Sequence, residues 1–236
     1  MKVYLDNNVL VDIEDGRYTV NDFLAKDAEY YFSDAHMNEI LEAIGNPKVS
    51  QGKRLELISE ICGRNCILSG GYREPEVIMM DPIDMYRLSN TPLISHINKV
   101  VSNGAGVFER IREVLGFDSK IFNNENPENV LRILNQRMQE VLHIGLEQYL
   151  MRSEAFGGRV LFITLLNIID AANYWGDVKS DHSEVARLND SSHAYFAQIC
   201  DVLVTNDKRM RSKIKAIYSF LGIKTKVLSV KEFFAL

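Results

Sequence analysis

The sequence predicts an α/β protein in which helices flank a parallel β-sheet that carries a mostly helical insertion. Three short apolar segments support this prediction, namely Lys2–Leu5, Tyr30–Phe32 and Val202–Val204. Runs of aliphatic, β-branched and aromatic residues of this length are typical of strands buried in a parallel sheet. Polar and acidic residues follow each run, and ligands bind at the edge where parallel strands end. The sequence therefore predicts an acidic site at that edge.

The segment between the first two predicted strands is a short crossover connection. Residues 12–26 are polar, and we expect a helix from about Val20 that returns the chain parallel to the first strand. A helix follows the second strand and carries Glu39 about one turn from its start. The Gly-Asn-Pro sequence at residues 45–47 is expected to end that helix.

The middle of the chain is predicted to be a mostly helical insertion, residues 45–186, on a core formed by residues 1–44 and 187–236. All three parts belong to one predicted domain, because no repeat, low-complexity tract or proline-rich linker separates them. Apolar residues at helical spacing predict helices over residues 48–65, from Pro127 to about Leu146, and from Val160 to Tyr174. Residues 77–80 are predicted to be a short strand or a buried loop.

The last fifty residues contain the third strand between two helices. Residues 189–192, Asn-Asp-Ser-Ser, are typical of a helix start, so we expect a helix from there to about Cys200. After the strand, Thr-Asn-Asp at residues 205–207 leads into a basic helix that Gly222 ends. A last strand over residues 225–229 and a final helical turn complete this part.

Composition and charge limit the classes of function. The 236 residues are 46% hydrophobic, which allows a full core, and no stretch is apolar enough to span a membrane. Without a leader sequence the protein is expected to be cytoplasmic, with its three cysteines reduced. The net charge is -5, but residues 201–236 carry eight basic and three acidic residues. The helix after the strand carries five basic residues, namely Lys208, Arg209, Arg211, Lys213 and Lys215. They cannot all face one way on a helix, and a subset that adjoins Asp207 is expected to guide a phosphate backbone.

Four acidic residues in their order along the chain resemble the PIN-domain nucleases. They are Asp6 after the first strand, Glu39 in the Ser-Asp-Ala-His-Met-Asn-Glu helix, Asp190 in Asp-Ser-Ser-His-Ala, and Asp207, which ends Val-Thr-Asn-Asp. The resemblance covers roughly residues 1–44 and 187–234. It implies a Rossmann-like sheet whose clustered carboxylates bind Mg²⁺ or Mn²⁺ and cleave single-stranded RNA. Many family members are toxins of toxin–antitoxin pairs, so an antitoxin protein and a homodimer are among the partners implied.

The resemblance assigns metal-binding and catalytic roles to the same four acids. Asp6 and Asp207 are the first candidates for metal ligands, and Glu39 and Asp190 would complete the site as ligands or by orienting water. His193, one helical turn after Asp190, is a further candidate for the same cleft. The roles of Asp170, Thr205 and Asn206 stay open between the site and the packing of the protein.

Two other classes of function remain open at this point. A phosphatase with an aspartate nucleophile after the first strand needs a second aspartate two residues later, and this chain has Asn8 there. A non-catalytic member that uses the fold as an RNA-binding or protein-binding platform is harder to exclude. A measurement of metal binding would separate it from a nuclease.

Overall fold

The computed structural model describes residues 1–44, 50–69, 74–90, 122–154, 158–176 and 181–236. Within these residues the strands form one six-stranded sheet. The strands are β1 (Lys2–Leu5), β2 (Glu29–Ser33), β3 (Asn65–Ser69), β4 (Pro75–Met79), β5 (Val202–Val204) and β6 (Lys226–Leu228). The α/β prediction is therefore confirmed, with the three expected strands at or near their predicted positions.

The strand order is β4-β3-β2-β1-β5-β6, and every neighbouring pair is parallel except β3 with β4. In the centre, Tyr4 of β1 lies opposite Tyr31 of β2 and Leu203 of β5. The chain progresses from β1 to one side through β2 and β3, and returns to the other side of β1 for β5 and β6. Such a reversal opens a crevice beyond the carboxyl ends of the strands, where ligands bind in α/β sheets. Here the reversal lies between β1 and β5, and the carboxyl edge of the sheet at this point is called the crevice.

Helices cover both faces of the sheet. In chain order they are α1 (Asn7–Glu14), α2 (Val20–Leu24), α3 (Asp34–Glu42), α4 (Gln51–Cys62), α5 (Pro82–Ser89), α6 (Pro127–Leu142), α7 (Leu146–Glu154), α8 (Gly158–Ala171), α9 (Asp181–Ala197), α10 (Lys208–Leu221) and α11 (Val230–Phe234). None of the helices in the described ranges is long and apolar enough to cross a membrane. Cys62, Cys66 and Cys200 are buried and free.

Each face of the sheet packs against its own hydrophobic cluster. Side chains alternate along β1, so Val3 and Leu5 point to one face and Tyr4 to the other. The Val3 face packs against α1 to α5 and α11, and the Tyr4 face packs against α6 to α10. Because both faces are covered, the last three residues of β1 are buried, with Val3 and Tyr4 at 0% exposure and Leu5 at 1%.

The sheet extends beyond the predicted core. The predicted core was limited to residues 1–44 and 187–236. β3 and β4 both lie inside residues 45–186, so the sheet extends into the range predicted to be a mostly helical insertion. The mostly helical character of the range holds for α6 to α8, which pack on the same sheet rather than apart from it. Glycines on either side of β3 hid it in the sequence. The predicted helix stop at residues 45–47 lies outside the described residues.

Two helix boundaries differ from the prediction. α9 begins at Asp181 and runs without interruption, so residues 189–192 lie inside a helix and do not start one. The hydroxyls of Ser191 and Ser192 donate to the carbonyl of Leu188 at 2.8 and 2.7 Å, which satisfies them within the helix. No helix was predicted directly after β1, where α1 forms with Asp6 as its N-cap.

Candidate metal site at the carboxyl edge of the sheet

Asp6 lies at the centre of the crevice between β1 and β5. Its backbone N–H donates to the carbonyl of Val204 at 2.9 Å, which continues the ladder one residue beyond β1. Its carboxylate accepts hydrogen bonds from the hydroxyl of Thr205 at 2.8 Å, the backbone N–H of Asn7 at 2.8 Å and the amide of Asn8. With 4% exposure and three donors, this carboxylate is held in one orientation.

Glu39 of α3 and His193 of α9 converge on Asp6. The Nε2 atom of His193 lies 2.9 Å from Oε1 of Glu39 and 3.7 Å from Oδ1 of Asp6. One donor atom from each of the three residues lies within 4.8 Å of the other two, so the group could hold a metal ion. His193 is fully buried, whereas the Glu39 side chain is 20% exposed. The group is therefore open to solvent on the Glu39 side.

The orientation of His193 is set by β1 below it. Its Nδ1 atom hydrogen-bonds to the hydroxyl of Tyr4 at 2.9 Å, and that hydroxyl also lies 2.6 Å from the hydroxyl of Ser33. Nε2 therefore faces the two carboxylates. Metal-binding histidines generally use their second ring nitrogen in such a hydrogen bond, which fixes the ring. The sequence indicated His193 only as a side chain that could face the cleft.

Asp190 lies one turn before His193 on α9 and is half-buried. Burial raises its pKa well above the ordinary value, and the charges of Asp6, Asp207 and Glu39 raise it further, while Lys213 acts in the opposite direction. All four acids predicted for the site thus interact electrostatically around Asp190. Asp190 is nevertheless not one of the three residues whose donor atoms converge.

Asp207 has a different position from the one expected of a primary metal ligand. It is exposed and is the N-cap of α10, where its Oδ1 atom accepts from the backbone N–H groups of Arg209 and Met210 at 2.7 and 3.0 Å. Its own N–H donates at 3.1 Å to the Thr205 hydroxyl, which in turn donates to Asp6. Asp207 therefore borders the crevice, and the three-residue group forms without it.

Burial and neighbouring charges change the protonation of the converging residues. Burial raises the pKa of Asp6 to about 6, against a lowering effect of His193, and the charge of Glu39 adds to the rise. Burial lowers the pKa of His193, but Glu39, Asp6 and Asp190 outweigh it and leave this pKa above its ordinary value. The site thus favours a cation between Asp6 and Glu39, and a protonated His193 meets this preference without a metal.

Amide side chains near the crevice connect the loops that carry the site. Asn7 donates to Glu39 and accepts from Arg54 at 2.6 Å, and the 4% exposed Arg54 also forms an ion pair with Glu14. From the sequence, no role in the site was assigned to Asn7, although the Asp-Asn-Asn sequence directly after a strand is a signal for such a role. Arg54 carried no such signal, because it comes from α4 on a distant part of the chain.

Thr205 and Asn206, whose roles were open, fix the loop after β5. The backbone N–H of Asn206 donates to Asn8 at 3.1 Å, and its side-chain amide donates to Asp12 at 2.6 Å. The side-chain carbonyl oxygen of Asn206 accepts from the backbone N–H of Val230 at 3.1 Å. Both residues therefore hold the loops of β1 and β5 together at the crevice.

Asp170 belongs to the core of the protein. Its carboxylate lies 2.6 Å from Nζ of Lys213 and 3.6 Å from Nη1 of Arg187. Lys213 is 1% exposed, so this predicted phosphate-guiding residue is not at the surface.

The other basic residues predicted to guide a phosphate backbone differ in exposure. Arg211 donates to the carbonyl of Thr205 at 2.9 Å. Exposed positive charge at the start of α10 comes from residues 208 and 209.

Fold and site together define an α/β protein with two carboxylates and a histidine at the crevice of its sheet. No protein-family model, curated protein or solved structure matches the chain. The geometry of this site is therefore the main evidence on the function of the chain.

Proposed function

We propose that the chain is a divalent-metal-dependent nuclease that hydrolyses phosphodiester bonds of single-stranded RNA. The observation that carries this proposal is the convergence of Asp6, Glu39 and His193, with donor atoms within 4.8 Å of one another, in the crevice of a mainly parallel sheet. Three elements distant in sequence meet there and place two carboxylates beside one histidine. The order of the acids along the chain, which resembles that of PIN-domain nucleases, supports the same class of reaction.

The donor set fits Mg²⁺ or Mn²⁺. Opposite ligands of Mg²⁺ are about 4.2 Å apart, because each bond is 2.0–2.1 Å, so a spread of 4.8 Å requires only a small approach of the side chains. Carboxylates suit both ions, and an imidazole ligand favours Mn²⁺ over Mg²⁺. When bound, the cation would acidify a water molecule and stabilise charge at the cleaved phosphate.

Each residue of the crevice has a proposed part in the reaction. Asp6 and Glu39 supply the negative charge that retains the cation, and the hydrogen bond between Tyr4 and His193 orients the imidazole toward it. Burial raises the pKa of Asp190 well above its ordinary value, which favours the protonated form, and Asp190 is our candidate to protonate the leaving oxygen. The exposed Lys208 attracts the phosphate backbone of the substrate.

The biological setting is proposed from the resemblance alone. A cytoplasmic toxin of a toxin–antitoxin pair would have a small antitoxin protein as partner, and a homodimer is a further proposed assembly. A non-catalytic platform that binds RNA or protein is the alternative, because the carboxylate oxygens of Asp6 already have hydrogen-bond donors within the protein.

Cleavage of an end-labelled single-stranded RNA tests the proposal. Wild-type protein should cleave in Mn²⁺ and not in EDTA, and the variants Asp6→Asn and Glu39→Gln should lose about 100-fold or more in rate. Asp84→Asn is the matched control, because Asp84 is an exposed acid on α5 that pairs only at the surface with Arg87. Its rate should equal that of the wild type.

Thermal melts separate the site from the reaction. At a Mn²⁺ concentration of 100 times Kd, binding to the native state alone stabilises it by about 2.7 kcal/mol. Asp6→Asn should show a much smaller shift. A Mn²⁺-induced shift without any RNA cleavage would favour the non-catalytic platform. No shift and no cleavage would show that the metal site itself is wrongly assigned.

A further inference from the structure

Trp175, the single tryptophan of the chain, lies just beyond α8 with its ring partly exposed. The ammonium group of Lys208 sits 4.7 Å from the centroid of this ring. Lys208 is the first residue of α10 and directly follows Asp207. An aromatic face with a cation over it therefore stands beside the acidic crevice.

The connection from this pair to the crevice is short. α10 follows β5, so its first turn lies at the carboxyl edge of the sheet. The N–H of Asp207 donates to the hydroxyl of Thr205, and that hydroxyl donates to Asp6. Lys208 thus belongs to the segment that borders the proposed metal site, and its side chain reaches from there to Trp175.

The backbone holds the tryptophan in an unusual conformation. Trp175 has a φ of +49°, a left-handed value that is rare for bulky residues and costs free energy. Its backbone N–H donates at 2.6 Å to the side-chain carbonyl of Asn123, which supports this conformation. The preceding Tyr174 is buried in the core at 1% exposure. The chain therefore anchors one aromatic residue and leaves the next at the surface.

We propose that Trp175 and Lys208 form a subsite for an unpaired nucleobase next to the cleaved phosphate. On binding, the base replaces the ammonium group over the indole ring, and the ammonium group moves to a phosphate of the same strand. Stacking on an aromatic ring is available to every base and needs a face that pairing partners do not cover, so the subsite selects single strands without reading sequence. This inference rests on the proposed nuclease function and specifies its substrate.

Fluorescence of Trp175 reports directly on the subsite, because no other tryptophan contributes. Full-length protein is titrated with oligoadenylate, and separately with inorganic polyphosphate, which offers phosphates without bases. Titrations are made in EDTA and in Ca²⁺, and affinities of the variants come from anisotropy of a labelled oligoadenylate. Oligoadenylate should quench the fluorescence, and polyphosphate should leave it nearly unchanged.

Three variants and one control complete the experiment. Trp175→Ala should weaken oligoadenylate binding roughly 5- to 150-fold, the range expected for one stacked base. Trp175→Phe retains a ring and should restore most of the affinity, which separates stacking from misfolding. Lys208→Met should weaken binding and reduce its salt dependence. Lys2→Met is the control, because Lys2 lies over the ring of Tyr31 at the opposite edge of the sheet.

The outcomes distinguish the subsite from the function on which it rests. Equal affinity of wild type and Trp175→Ala, or equal quenching by polyphosphate, would overturn the subsite. In that case, metal-dependent cleavage of RNA by the wild type would still support the nuclease function. Failure of the wild type to bind oligoadenylate in both conditions, together with no cleavage in Mn²⁺, would remove both. Base-dependent quenching with loss in Trp175→Ala and recovery in Trp175→Phe would establish the subsite.

Discussion

Replacing Asp6 with asparagine should stabilise the metal-free protein at neutral pH and lose this effect in acid. Burial and the charge of Glu39, against the lowering effect of His193, raise the pKa of Asp6 to about 6 in the folded protein, whereas that of an unfolded aspartate is about 3.9. The folded state therefore binds this proton more tightly than the unfolded state. The contribution of Asp6 to the free energy of unfolding is fully present below about pH 4 and is lost as the pH rises through 6.

The magnitude follows from the two pKa values and the hydrogen bonds of the side chain. Ionisation of Asp6 costs the folded state up to roughly 3 kcal/mol above pH 7. Asparagine keeps an acceptor for the backbone of Asn7, but its amide cannot accept from Asn8 or from the Thr205 hydroxyl, and these losses together cost about 1 to 2 kcal/mol. A net gain of about 1 to 2 kcal/mol, or about 2 to 8 °C in Tm, is expected at pH 7.5 in EDTA. At about pH 4 the gain should vanish or reverse.

The assay is a series of thermal melts in EDTA between pH 4 and 8 for wild type and Asp6→Asn. Asp22→Asn is a control of opposite sign, because Asp22 accepts from the backbone and hydroxyl of Thr19 and its pKa is lowered. Its substitution should destabilise the protein at neutral pH, and the difference should diminish in acid. An Asp6→Asn variant less stable than wild type at pH 7.5 would refute the argument, since Asp6 would then act only as the cap of α1.

Two further predictions concern packing away from the crevice. Lys213→Met should destabilise the protein by up to about 3 to 5 kcal/mol in urea denaturation, because it removes the nearer cation of the buried Asp170 carboxylate and leaves it the more distant Arg187, and adding Asp170→Leu should recover much of the loss. Gly158→Ala should cost about 1 to 3 kcal/mol, because the new Cβ would lie 2.9 Å from the ring of Tyr195. Gly52→Ala, with open space around its Cβ in α4, should instead raise the Tm slightly; equal effects of the two alanines would contradict the packing argument.

Much of the site could be predicted because it follows strand ends. The sequence indicated Asp6 and Glu39 from their positions after buried segments, and the structure brings both to one crevice with His193. It could not indicate that His193 and not Asp207 completes the group. That choice depends on the hydrogen bond between Tyr4 and His193, which joins residues 189 positions apart in the chain.

Local chemistry determined the elements whose signals lie within one turn or one strand. The buried strands β1, β2 and β5, the start of α6 at Pro127 after the Asn126 cap, and the end of α10 at Gly222 follow from the residues themselves. These features depend on backbone preferences and short-range hydrogen bonds, which act between residues close in sequence.

The tertiary structure alone decided the membership of β3 and β4 in the sheet, the unbroken course of α9 and the burial of Lys213. A short apolar run between glycines becomes a strand only when a neighbouring strand supplies hydrogen-bond partners. A lysine is buried only where a carboxylate such as Asp170 meets it. Both conditions join residues far apart in the chain, so the sequence determined which segments could form the sheet, and packing decided which of them do.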